Sequence, residues 1–450
     1  METPVYDFVT EYSRKNMSRL HMPGHKGRSF LGCEARDITE ISGADVLHQA
    51  EGILGASQDN AAQLFGAGRT FYSTEGSSLC IKAMLTALVQ GSTGTGRKYI
   101  LAARNVHRSM VDACGLLDLE LEFLTNPASG HLLASKPTPE QLRQSLKRCE
   151  TLPIGVYVTS PDYLGNIVDV GGLSAVCREY DLPLVVDNAH GAYLRFLEPS
   201  VHPMQLGAAM CCDSAHKTLP VLTGGAYLHV ASSWQEAYVA YAKKAMAVFG
   251  STSPSYLILQ SLDLCNRYLS EKYREKLLDT VRKVGQLKEI LRSYQIPVMD
   301  TEPLKIVIDA AGAGYDGEET AQEMREYAIE CEYADHQFVV CMLTVENTAM
   351  DHARIRRWGE HTALRMHRNP VVYPAVSAGM AERVCSIREA VFHASETVPV
   401  EDAVGRICAA QSVACPPAVP IAVSGERITE EMVTLFQNYG IRTVVVLANP

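Results

Sequence analysis

The chain has 450 residues, 47% of them hydrophobic and 20% charged, with a formal net charge of -10. That is enough apolar material for a sizeable core and two domains, and an acidic balance without long single-sign runs gives no reason to expect nucleic acid or an anionic membrane as a partner. The thirteen cysteines are scattered, with no Cys-x-x-Cys pair and no His/Cys cluster at metal spacing, so neither a disulfide framework nor a metal site is expected.

The chain opens Met1-Glu2-Thr3-Pro4, without the basic-then-apolar order of a signal peptide, and no apolar run reaches the length of a membrane span. The expected location is the cytoplasm. The first sixty residues read as an irregular, polar arm, and the turn residues Pro23-Gly24 and Gly27 explain much of His21–Gly27 without any function. The two histidines and the lysine of that loop could equally line a site.

From about residue 60 the pattern becomes α/β. Asn60–Phe65 and Ser77–Val89 have helical spacing, and short apolar runs at Tyr99–Ala102, Leu121–Leu124, Ile154–Thr159, Leu184–Asp187, Ala208–Cys212 and Ala226–Val230 read as strands. Such alternation predicts a mostly parallel sheet with helices on both faces and ligands at the carboxyl ends of its strands. Gly91–Lys98 approaches a phosphate-loop pattern but runs from helix into strand, the wrong order, and reads as a connection. A long helical region, Trp234–Tyr294, leads to shorter elements including Lys305–Asp309, Phe338–Leu343 and Arg442–Leu447. The expected organisation is an arm at 1–59, a large domain at 60–295 and a smaller α+β domain at 296–450.

Two strand ends carry the chemistry. One apolar run ends in Asp187-Asn188-Ala189-His190-Gly191, and the next is followed by Asp213-Ser214-Ala215-His216-Lys217-Thr218. A lysine and a carboxylate so placed are the minimal kit for pyridoxal 5'-phosphate. The amine forms the Schiff base, and the aspartate keeps the pyridine nitrogen protonated so that the ring accepts electrons. A lysine alone is usually a solvated surface group, and an aspartate alone could pair with an arginine; together they favour the cofactor. His190 could hydrogen-bond Asp187 or the cofactor's phenolic oxygen. Ser214 and His216 could donate to its phosphate, although Ser214 could simply cap a helix. Gly76-Ser77-Ser78 opens a helix and offers further N–H and hydroxyl donors, and His107, after the strand Tyr99–Ala102, could stack on the pyridine ring.

In order along the chain, Met22–Gly27, Leu64–Ala67, Gly76–Ser78, Asn105–Ser109, Thr159–Gly165, Asp187–Gly191, Ser214–Leu219, Thr252–Tyr256, Pro416-Pro417, Pro420 and Ser424–Ile428 resemble the Orn/Lys/Arg decarboxylases. The shorter bacterial arginine-decarboxylase-like members are the most similar. The resemblance implies the aspartate-aminotransferase fold (fold type I of the pyridoxal-phosphate enzymes), with a seven-stranded sheet and a small C-terminal domain. It implies Lys217 as the Schiff-base lysine, Asp187 as partner of the ring nitrogen, His107 as the stacking residue, and Ser77, Ser78, Ser214 and His216 around the phosphate. It also implies a site at a homodimer interface, so that the N-terminal loops could serve a neighbouring subunit.

Four departures from the family's usual residues bear on substrate rather than on cofactor: Asn188 for Glu, Glu75 for Asn, Arg108 for Lys, and Gly224-Gly225 for a more polar pair. The expected reaction is α-decarboxylation of a basic amino acid, arginine ahead of lysine and ornithine, with a proton returned by Lys217 or His216. Glu332, Asp335 and Glu346 are the available anchors for the distal cation. Transamination or retro-aldol cleavage on the same scaffold is the nearest rival, and a non-catalytic homologue that only binds the cofactor is the rival of a different class.

Overall fold

The computed structural model describes residues 1–93, 96–124, 133–372, 381–411 and 418–448. Gly94-Thr95 of the connecting loop and Pro416-Pro417 of the family pattern lie outside the described residues.

In chain order the elements are α1 (Pro4–Arg14), α2 (Ile53–Phe65), β1 (Arg69–Ser73), α3 (Gly76–Gly91), β2 (Tyr99–Ala102), α4 (Arg108–Leu117), β3 (Glu120–Phe123), α5 (Pro139–Arg148), β4 (Val156–Thr159) and α6 (Val170–Glu179). There follow β5 (Leu184–Asp187), β6 (Met210–Asp213), the single turn α7 (Ala215–Thr218), β7 (Ala226–Val230), α8 (Gln235–Phe249), α9 (Tyr256–Ser270) and α10 (Tyr273–Ser293). The rest comprises β8 (Lys305–Asp309), α11 (Gly317–Glu326), β9 (Tyr333–Ala334), β10 (Phe338–Met342), α12 (Ala349–His361), α13 (Ile387–Phe392), β11 (Ser395–Pro399), β12 (Cys408–Ala410), α14 (Glu430–Asn438) and β13 (Thr443–Leu447). Seven strands form one sheet in the order β1-β7-β6-β5-β4-β2-β3. Contacts divide the chain into two compact units, Met1–Lys98 with Pro153–Val158 and Val170–Glu275, and Tyr99–Leu152 with Thr159–Asp169 and Lys276–Pro450.

In the first unit β5 and β6 run parallel, with Asp187 in register with Cys212. Their sequences, Leu-Val-Val-Asp and Met-Cys-Cys-Asp, are buried at every position, the unbroken apolar run of a strand covered on both faces. β7 then pairs antiparallel with both β6 and β1. Parallel pairing brings the carboxyl ends of β5 and β6 to the same edge. That is why residues thirty apart in sequence can share one site.

The arm differs from the irregular reading. Pro4 sits in the first turn of α1, where its missing N–H loses no bond. The next N–H groups, of Val5 and Tyr6, both donate to Asp263 Oδ2 at 2.9 Å. A buried carboxylate thus caps α1 from α9. The loop His21–Gly27 is largely tied to its own surroundings: Tyr12 Oη lies 2.7 Å from His21 Nε2, and His25 Nε2 lies 3.1 Å from Asp37 Oδ2. β1 was not expected either, and the long helical region proves to be three helices.

The second unit contains the parallel pair β2 and β3 and two three-stranded sheets, β8-β10-β9 and β11-β13-β12. Its core packs Val307 and Val340 of the first small sheet with Phe436 of α14 and Val444 and Val446 of the second.

Candidate active site

Asp187 closes β5 with only 3% of its surface exposed. Its Oδ2 accepts from Tyr157 Oη at 3.2 Å, and its Oδ1 from the Ala189 N–H at 3.1 Å and the Cys212 thiol at 3.6 Å. Among the described residues no lysine, arginine or histidine is bonded to it. A buried carboxylate held by neutral donors alone is short of a positive partner, and a protonated ring nitrogen is one.

Ser214 and α7 follow β6, and the tight turn is closed by the Lys217 N–H donating to Ser214 O at 2.9 Å. It presents Lys217 Nζ 3.1 Å from Nε2 of the buried His190. An ammonium only donates, so Nε2 accepts and is placed to relieve the amine of a proton. His216 turns the other way, with Nδ1 2.9 Å from Gly225 O. The carbonyl can only accept, so Nδ1 carries the proton and Nε2 is bare in the neutral ring. Burial lowers the pKa of this imidazole, against the pull of the Gly225 carbonyl and with help from Lys217.

The third component is the start of α3. Ser214 Oγ donates to Ser77 Oγ at 2.8 Å, joining the lysine turn to the helix start. The Gly76 N–H donates to Gly224 O at 2.8 Å. Gly76 has φ +71°, and a Cβ there would meet nothing within 4 Å. A 16-residue helix beginning in Gly-Ser-Ser beside open space presents N–H groups, hydroxyls and a positive helix end to an anion. Gly224-Gly225 also has a physical role: at Gly224, with φ +99°, a Cβ would come within 2.7 Å of Thr74 O. Of the other departures, Glu75 accepts from the Ser251 N–H at 2.7 Å, and Arg108 pairs with Asp112 at 3.5 Å on α4.

His107 belongs to the second unit, where it caps α4 by accepting the Ser109 N–H on Nδ1 at 3.2 Å. There too Glu332 accepts from Tyr163 Oη at 2.8 Å. Asp335 is buried and taken up by a turn, accepting from the Gln337 and Phe338 N–H groups and Tyr333 Oη at 2.7–2.8 Å. Glu346 is exposed.

Sequence reasoning missed three residues beside this site. Asp213, wholly buried at the end of β6, accepts from Asn188 Nδ2 at 2.6 Å, His202 Nε2 at 3.0 Å and His229 Nε2 at 3.2 Å. The available signal was a second strand-terminal aspartate, four residues before the lysine. Asn188, where the family more often has glutamate, is the link between the two strand ends.

Pyridoxal phosphate requires an amine for its aldehyde, an acid for its ring nitrogen and donors for its phosphate; Lys217, Asp187 and the helix start with Ser77 and Ser214 fit it. The family model "Orn/Lys/Arg decarboxylase, major domain" matches residues 3–311, and the C-terminal domain of the same family matches 373–439. The arginine decarboxylase of Halalkalibacterium halodurans is 31% identical over 464 residues, covering 95% of this chain and 91% of the relative. That of Bacillus subtilis is 28% identical, covering 97% and 94%. The structure of the Escherichia coli constitutive lysine decarboxylase superposes with a TM-score of 0.77 at 16% identity, over 99% of this chain and 82% of that one, a likeness of fold. The chain belongs to the Orn/Lys/Arg decarboxylase family and is a pyridoxal-phosphate-dependent amino-acid decarboxylase of the aspartate-aminotransferase fold.

Proposed function

We propose that the substrate is arginine and the product agmatine, formed in the cytoplasm by a homodimer. The observation that carries the chemistry is the pairing of a buried carboxylate short of a cation, Asp187, with Lys217 at the ends of adjacent parallel strands. The preference for arginine rests on the relatives named arginine decarboxylase at 28–31% identity along nearly the whole chain.

In this reading Lys217 carries the cofactor, Asp187 holds the proton on its ring nitrogen, and His107 stacks on the ring. Gly76, Ser77, Ser78, Ser214 and His216 surround the phosphate. His216 donates from Nε2 only after taking up a proton, which an adjacent phosphate dianion favours. The bound cofactor supplies an electron sink for the pair left behind when carbon dioxide departs. His190 Nε2 takes a proton from Lys217 Nζ, leaving the amine nucleophilic, and Lys217 returns a proton to the α-carbon. His216 serves less well as that acid, because its Nδ1 proton is engaged with Gly225 O and its Nε2 is given to the phosphate. With Asp335 committed to its turn, Glu332 and Glu346 are the remaining anchors for the guanidinium.

Mass spectrometry of products from equal arginine, lysine and ornithine tests the substrate: agmatine as main product is expected, and cadaverine or putrescine in its place would overturn the preference. Borohydride reduction followed by peptide mapping should find the cofactor mass on Lys217. Lys217→Ala should lower turnover on the order of 10³-fold or more.

A further inference from the structure

We propose that Asn188, Asp213, His202 and His229 form a buried lock that positions the two cofactor-holding groups, with the Asn188–Asp213 hydrogen bond as its working link. This inference rests on the assignment of Lys217 and Asp187 above. Asn188 is the residue after Asp187, and Asp213 begins the turn that presents Lys217. Their 2.6 Å bond therefore ties the end of β5 to the end of β6 at the point where the two groups diverge.

All four side chains are fully buried. The tautomers follow from the partners. His202 Nδ1 accepts from the Met204 N–H at 3.3 Å, so its proton is on Nε2, facing Asp213 Oδ2. His229 Nδ1 lies 2.8 Å from Thr70 Oγ1, and its Nε2 also faces that oxygen. Both rings thus present an Nε2–H to the same carboxylate oxygen. Burial opposes a charge on Asp213, yet the His202 and His229 donors hold its carboxyl well below the usual carboxylate range. Burial in turn lowers the pKa of His229, against the pull of Asp213. The Phe65 ring stacks on His229 with centroids 4.5 Å apart, so the donor cannot swing away. Cys211 lies near enough to make a metal-ligand set with His202 and Asp213, but both Nε2 atoms are spent on one carboxylate oxygen at hydrogen-bond length.

The chemistry of the link demands one carboxylate and one amide. Two carboxylates at 2.6 Å in a dry interior cannot both ionise: they take up a shared proton or part. The single variant is therefore compared with the native chain at a pH well above the carboxylate range, where that proton is given up. The isosteric exchange keeps every bond: an amide at 213 can turn its oxygen to the two histidines and its NH₂ to a carboxylate at 188. Position, not the site of the charge, is what the lock conserves.

The test is a swap. Asn188→Asp should weaken cofactor binding by about 10- to 100-fold, the range seen when a supporting partner of a ligand-holding group is lost. Binding is read by titrating the folded protein with pyridoxal phosphate and following its visible absorbance, with far-ultraviolet circular dichroism reporting the fold. Asn188→Asp combined with Asp213→Asn should restore binding to within about threefold of native. A single variant that binds as the native chain does would overturn the lock, and so would a folded double variant no better than the single one. Should Asn188→Asp fail to fold, recovery of both fold and cofactor in the double variant still supports the link. Borohydride mapping on the native chain keeps the underlying reading separate: cofactor on Lys217 with no rescue by the swap sinks the lock alone.

Discussion

At the scale of single residues, Asp187 and Gly191 carry the sharpest expectations. Asp187→Asn keeps the shape of the side chain but removes the charge that would hold a proton on the ring nitrogen. Turnover should fall on the order of 10²-fold, while cofactor added in excess still binds; a steady-state assay alongside the cofactor's absorbance separates the two. Gly191 is needed for space rather than for its backbone freedom. A Cβ there would stand 2.0 Å from Asn188 Oδ1 and 2.8 Å from Leu194 Cδ1. Gly191→Ala should therefore lose about 1–3 kcal/mol of stability by overpacking and loosen the cofactor as Asn188 is pushed from Asp213, both measurable by denaturant melts with and without cofactor. The placement of Asp187 at the end of β5 and of Lys217 in the turn after β6 was legible in the sequence because the two strands are otherwise uniformly apolar. Asp213 was not, since its partners His202 and His229 lie 11 and 16 residues away along the chain, and isolated histidines carry no spacing signal.

At the scale of elements, the well-read strands are those dominated by buried apolar residues: β2, β5, β7 and β8 match their expected bounds, even though β7 and β8 also bury His229 and Lys305. β1 was missed because Arg-Thr-Phe-Tyr-Ser mixes polar and aromatic residues. Thr70 is buried because His229 bonds it, and Tyr72 because Ser57 and Asn266 do. α1 was missed because its N-terminal partner, Asp263, is more than 250 residues away. That cap gives a pH signature. Burial pushes the Asp263 carboxyl up to about 6, although Ser57 and the N–H groups of Tyr6 and Val5 favour its charged form. The folded pKa lies above the ordinary 3.8, so this group's contribution is fully present at acidic pH and is lost as pH rises from about 4 through about 6. Asp263→Asn should remove the effect. Relative to native, the variant should gain on the order of 2 kcal/mol between pH 4 and pH 7, and equal slopes of stability against pH for the two proteins would refute the assignment.

At the scale of the whole molecule, the arm bears on assembly. Leu20 is 93% exposed, Met22 66%, Phe30 78% and Leu31 90%. These side chains are not on a frayed strand. Glu34 accepts the N–H groups of Phe30, Leu31 and Gly32, and Arg19 bonds the Ala35 carbonyl. An ordered backbone that holds large apolar groups outward is built to be covered. Burying four such side chains is worth about 1.5–3 kcal/mol each before ordering losses, a substantial contribution to a dimer interface. Sedimentation velocity of the native chain should give a dimer. Phe30→Asp with Leu31→Asp should raise its dissociation constant by about 10²-fold or more. If the covering surface is a second copy whose site the arm completes, activity should fall with the dimer fraction and return at high protein concentration. A dimer that persists in this variant would place the contact elsewhere, and a native monomer would mean that these residues meet a different partner.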